Sequence, residues 1–391
     1  MTTAAPPATL LRPQPIGVFD GPAGLILVPA GDGVADLLGD LARGQVPREW
    51  PAAAAPLALA LAGETDAALA ALGGAACDRV NRLVLQPTPE HLQDAREAAA
   101  GSAELQAVVA AAAFAAGLDD RPPALEGAAG EFGTLAATVR ASDALAAGDQ
   151  RAAVPWLERA CLLAAGVGPA LEGRALAALA ELRHRVEGPT LEVASAYEAA
   201  EHALAPTGLD VLRAEVQLQR AGVLHELSAE QPGLLVQAVR LYQSALIALD
   251  EAEHPESFAF ANMNIGLAML AMPAVQASDQ VRLGVAVQSL RAALRVYTRE
   301  SHPAEWSSGR LNLANALQYL PSRHREDNLA EAVEIYEELL EVRSPQDDPA
   351  AYARVLANQA NALAHLGMFD PARERYTEAR IWFARLGDAD A

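Results

Sequence analysis

From Val34 onward, apolar and polar positions follow the three-to-four-residue period of amphipathic helices through to the C-terminus. Breaks are expected where Gly and Pro gather: Gly44–Pro51, Gly63–Asp66, Gln86–Pro89, Gly117–Pro123, Gly166–Pro169, Gly188–Pro189 and Pro206–Gly208. Period-two patterning occurs in one place. Ile16–Phe19 and Leu25–Val28 are β-prone runs around the turn Asp20-Gly21-Pro22-Ala23-Gly24, and they predict a short β-hairpin. An isolated hairpin is marginal in water, so Phe19, Leu25 and Leu27 should seek a buried face or a partner strand. Residues 1–15, rich in Pro, Thr and Ala, read as a disordered tail.

Within the helical region one phrase recurs. His254-Pro255, His302-Pro303 and Asp348-Pro349 are spaced by 48 and 46 residues, and Phe258, Trp306 and Tyr352 follow the prolines at equal distance. Asn264, Asn312 and Asn358 come next in register, then the small residues Gly266, Ala314 and Ala360. A second helix repeats a small–large–small pattern: Ala238/Tyr242/Ala245, Ala286/Leu290/Ala293, Ala332/Tyr336/Leu339 and Ala372/Tyr376/Ala379. Steps of four and three place these residues on one helical face. The small residues admit a neighbouring helix and the large one fills the space between. Proline at the first helical position costs no hydrogen bond. Fainter copies lie upstream, at Ala141–Ala160 with Leu157 and at Gly188–Ala200 with Tyr197.

This register resembles the tetratricopeptide (TPR) repeat. The Ala360-to-Ala372 interval and the Gly367-Met368-Phe369-Asp370 turn resemble that family most closely, and HPAEWSSGRLNLANAL and REDNLAEAVEIYEELLEVR resemble its long-repeat (46–50 residue) bacterial subtype. The resemblance implies an all-α, right-handed solenoid of helical hairpins over residues 131–391. Residues 16–130 would form an N-terminal region of β-hairpin plus helices. It also implies a concave groove lined by the first helices. Transferred residue by residue, the partner-binding set is Asn264, Asn312, Asn315, Gln318, Tyr319, Arg354, Asn358, Asn361 and His365. An asparagine amide offers a donor and an acceptor together, which suits a peptide unit. The same amides could instead bond neighbouring helices.

Charge and composition narrow the function. Fifty acidic residues against 29 basic ones give a net charge of −21, which disfavours nucleic acid and anionic membrane surfaces as partners. All the basic residues are arginine. Without lysine there is no P-loop, no Schiff-base chemistry and no kinase lysine. Cys77 and Cys161 are too far apart in sequence for a zinc motif and read as buried hydrophobes. His254 and His302 share a repeat position before proline, where a helix-capping place is the simpler reading than a ligand ladder. Arg323–Asp327 reads as a solvated turn with some scope for partner contact. No signal peptide or membrane span is evident, so a cytoplasmic location is expected.

The expected function is a non-catalytic scaffold, adaptor or assembly factor that binds a protein or peptide in the groove, with no cofactor and no metal. The alternative is a ligand- or peptide-sensing regulator of a separately encoded effector. The acidic balance would steer basic partners toward it.

Overall fold

The structure, a computed structural model, describes residues 16–29, 31–272 and 279–387. The tail expected over residues 1–15 lies outside the described residues. The chain divides into two compact units, Met1–Leu227 and Ser228–Ala391. Among the described residues there is no strand.

The first unit holds α1 (Val34–Ala42), α2 (Ala55–Leu61), α3 (Thr65–Ala71), α4 (Ala76–Leu85), α5 (Pro89–Ala98), α6 (Ala103–Ala115), α7 (Gly130–Ala146), α8 (Gln150–Ala164), α9 (Pro169–Glu187), α10 (Leu191–Leu204) and α11 (Asp210–Leu227). The second holds α12 (Gly233–Ala245), α13 (Pro255–Ala271), α14 (Asp279–Ala293), α15 (Pro303–Tyr319), α16 (Arg325–Val342), α17 (Pro349–His365) and α18 (Phe369–Arg385). The expected breaks fall at helix ends. Hydroxyl and carboxylate side chains cap several starts: Thr88 Oγ1 accepts from His91 N, Thr190 Oγ1 from Val193 N, and Asp348 Oδ1 from Ala351 N at 2.8 Å.

Both units are built of helical hairpins. In the first, α7 pairs with α8 and α9 with α10; in the second, α13 pairs with α14, α15 with α16 and α17 with α18. Each second helix also packs on the next first helix in its unit. The small residues of the repeat register sit at these crossings. Ala153, Ala238, Ala286 and Ala332 are fully buried and Ala372 nearly so. A Cβ built on Gly266 would lie 2.6 Å from Leu290, so that crossing admits no side chain without displacing leucine. Tyr197, Tyr242, Leu290 and Tyr336 fill the gaps, each 1% exposed or less. Tyr376, on α18, is 43% exposed.

The N-terminal hairpin does not form. Gly17 N donates to Gly24 O at 2.6 Å, residues 21–25 make a turn of 3₁₀-helix, and Ile26–Val28 continue outside any helix or strand. The reason is a missing ladder partner, because everything nearby is helical. Asn81 of α4 substitutes for one. Its Oδ1 accepts from Leu27 N and its Nδ2 donates to Leu27 O, both at 2.8 Å, and the side chain is 1% exposed. One amide thereby satisfies both backbone groups of a buried residue. Leu27 is buried as expected, whereas Phe19 and Leu25 are half-buried. Ile16, Ile26, Leu27 and Val28 join the core of α1–α6, and Phe132 of α7 belongs to the same core. A Cβ on Gly24 would meet Phe19 O at 2.0 Å, so the curl requires glycine there. Asp20 anchors its outer edge through an ion pair with Arg174 at 2.6 Å.

Two stability effects follow. Asn81→Ala strands a buried N–H and a buried C=O together, and should cost the first unit about 2 kcal/mol or more in urea denaturation of the full chain. Ala332→Leu should overpack the α15/α16 crossing and cost the second unit about 1–3 kcal/mol, read as a lowered melting temperature. A wild-type melting curve for Ala332→Leu would break the assigned register.

Candidate functional site

In the second unit the first helices α13, α15 and α17 touch one another directly, in addition to their hairpin partners. The second helices of successive repeats approach less closely and meet through long side chains, Arg291 of α14 with Glu331 of α16 at 2.6 Å and Arg375 of α18 with Glu337 of α16 at 3.9 Å. In a two-layer stack the more closely spaced layer lies on the inner arc. The face formed by α13, α15 and α17 is therefore the groove side.

The nine residues transferred from the repeat register divide into three groups. Four bond other helices: the half-exposed Asn315 and Asn358 with the buried Gln318 in one network, and the half-exposed Asn361 separately. The Tyr336 hydroxyl donates to Asn315 Oδ1 at 2.7 Å, with Gln318 Oε1 at 3.3 Å. Asn358 Nδ2 donates to the same Asn315 oxygen at 3.0 Å, which joins α15, α16 and α17. Gln318 is 4% exposed. One repeat on, Tyr376 donates to Asn361 Oδ1. Burial pushes the Tyr336 hydroxyl well above the usual phenol range, which keeps it a donor. Asn315 and Asn361 give their oxygens, and Asn358 its Nδ2, to neighbouring helices, so one half of each amide is engaged within the fold and the other half has no bond among the described residues.

The second group is Asn264 and Asn312. Each donates Nδ2 to the carbonyl four residues back, to Phe260 and Ser308 respectively, at 2.9 Å. Their Oδ1 atoms face outward from half-exposed side chains with no bond among the described residues. The third group is Tyr319, Arg354 and His365, all exposed. His365, at the end of α17, lines an open cleft with Arg323, His324 and Arg325. Glu326 and Asp327 line the same cleft, and Arg325–Asp327, expected within a solvated turn, form the first turn of α16 instead. His254 and His302 occupy helix-capping places, and the His302 ring tilts against Tyr297 at 4.9 Å. Among the described residues no group of three His, Cys, Asp or Glu side chains could hold a metal.

The tyrosine–asparagine link was missed in the sequence, although a signal exists. Where the second helix carries Tyr336 or Tyr376, the matching first-helix place holds Asn315 or Asn361. Where it carries Leu290, that place holds Leu267. The match is confined to these three repeats, since Tyr242 has Val223 at that place.

No protein-family description matches the chain, and no curated protein sequence matches it. Among solved structures it is similar to a chain in the structure of Naa15/Naa10 bound to HypK-THB, at 15% identity and a TM-score of 0.24. That match covers 90% of this chain and 56% of the other, so this chain spans about half of its length.

The network yields a double-mutant cycle. Tyr336→Leu and Asn315→Leu should each destabilise the second unit, since each leaves a polar group unpaired. The pair together copies Leu290/Leu267 and should cost less than the sum, with a coupling of about 0.5–3 kcal/mol in chemical denaturation. Strict additivity would show that the two side chains do not act together.

Proposed function

We propose that this chain is a non-catalytic protein–protein interaction scaffold, of the adaptor or assembly-factor kind. It takes a partner protein or peptide on the groove formed by α13, α15 and α17. The carrying observation is the division of labour within that face. Asn315, Asn358 and Asn361 each bond a neighbouring helix through one half of the amide, while Tyr319 and Arg354 are exposed and the half-exposed Asn312 bonds only its own helix. A surface whose supporting layer is already bonded loses little entropy when a partner docks. Tyr319 is 61% exposed, a large amphipathic ring of the type that serves as a binding anchor.

The non-catalytic reading is supported by the lack of lysine and by the state of the thiols. Burial raises the Cys77 pKa and pushes Cys161 up to about 11, so neither is an activated nucleophile. The 48- and 46-residue spacings support placing the array with the long-repeat bacterial TPR subtype. Among the described residues no helix is long and apolar enough to cross a membrane. Together with two free cysteines, this supports a cytoplasmic site of action.

The test uses the full chain as bait in extract of its native host, followed by affinity measurement with the partner recovered. Asn312→Ala with Tyr319→Ala should melt as the wild type does and weaken that partner roughly 10-fold or more. Ile247→Ser, which alters an 87% exposed residue just past the end of α12, should leave affinity unchanged. The reverse pattern would move the binding face away from the groove.

A further inference from the structure

The first unit contains a cavity of about 180 Å³ where α7, α8 and α9 meet the N-terminal segment. Helix α7 contributes Thr134 and Thr138, one turn apart on one face. Helix α9 contributes Leu171, Arg174 and Ala178, whose steps of three and four also share a face. Leu157 of α8 and Ile16 of the segment add apolar wall, and both are buried. Ala178 leaves room where a larger side chain on that stripe would fill the space.

The wall formed by the segment is fixed from beyond the cavity. Val18 packs in an apolar cluster with Ala164, Ala170 and Ala175, and Asn81 holds Leu27 by both backbone groups. The polar groups of α7 are already satisfied as donors. Thr134 Oγ1 donates to Gly130 O at 2.8 Å, and Thr138 Oγ1 donates to Thr134 O at 2.9 Å. An apolar body lying against these hydroxyls therefore strands no donor.

Among the described residues that line the cavity, Arg174 alone is charged. Its side chain is 30% exposed, so it belongs to both the cavity and the solvent. Nη2 meets Asp20 Oδ1 at 2.6 Å, while Nε and Nη1 have no bond among the described residues. The Asp20 side chain is 88% exposed on the outer edge of the curl. Such a solvated ion pair is weak and easily exchanged. It shows that a carboxylate can seat on this guanidinium, and it leaves that seat open to competition.

We propose that this cavity binds a small apolar monocarboxylate. The hydrocarbon body lies between α7, α8 and α9, and the carboxylate sits on Arg174 in place of Asp20. An apolar cavity of about 150 Å³ takes a benzene ring, so the present one suits a body of about six carbons. One guanidinium fits one carboxylate through its planar fork, whereas a dianion would need further cations that the lining lacks. The site lies wholly within the first unit, so it stands or falls independently of partner docking on the second.

The test is isothermal titration calorimetry of the full chain with sodium hexanoate. Hexanamide, the uncharged molecule of the same shape, and acetate, the head without the body, serve as comparisons. Hexanoate should bind one to one and at least about 10-fold more tightly than either. Arg174→Gln should bring hexanoate down to the level of hexanamide. Asp20→Asn removes the competing carboxylate and should tighten hexanoate by about 2- to 5-fold. Ala178→Leu, which puts a side chain into the cavity, should weaken hexanoate about 10-fold or more. Absence of one-to-one binding, or hexanoate no tighter than hexanamide or acetate, overturns the proposal. Weaker binding in Asp20→Asn overturns it too, since the two carboxylates would then not compete. Where Ala178→Leu also lowers the melting temperature, the opposite signs expected for Asp20→Asn and Arg174→Gln decide the matter, and equal affinities in those two variants sink the site.

Discussion

Close approach of paired helices is the constraint on which the rest depends. With 5% aromatic residues and a core dominated by alanine, this chain cannot fill wide gaps between helices. It closes them instead. Gly266 against Leu290 and the buried Ala286 and Ala332 set the spacing, and one large residue per hairpin fills what remains. Dispersion contacts are individually weak and fall off steeply with distance, so a thin core is stable only when packed this closely. Everything on the groove face inherits its position from those crossings.

The polar network depends on them directly. A tyrosine at the large position places its ring in the core and its hydroxyl at the far side, where it meets the next layer. For the buried Tyr336 an unpaired hydroxyl would be costly there, and Asn315 supplies the acceptor; Asn361 accepts likewise from the exposed Tyr376, where less is at stake. The same residues that looked like ligand contacts are thus part of the spacing mechanism. Asparagine serves either role because its amide is both donor and acceptor, so residue type alone could not separate the two. The separation comes from which neighbour the register brings opposite: Tyr336 and Tyr376 each claim an amide oxygen, whereas Leu290 has Leu267 and Tyr242 has Val223 at that place.

The parts of the architecture legible in the sequence were those set by local periodicity. Helix pairs, their breaks, the buried alanines at crossings and the capping places of His254, His302 and Asp348 all follow from spacing within one repeat. What was not legible depended on distant partners. The segment around Leu27 has strand-forming residues, but strand formation needs a second edge, and α4 offers only the Asn81 amide, 54 residues away. Asn81 lies between Cys77 and Val84 on one buried helical face. That polar residue on an apolar stripe was the available sign of a backbone docked against it. For the groove, the register placed Asn312, Tyr319, Arg354 and His365 at the surface, yet it could not foresee that Asn315, Asn358 and Asn361 were already engaged.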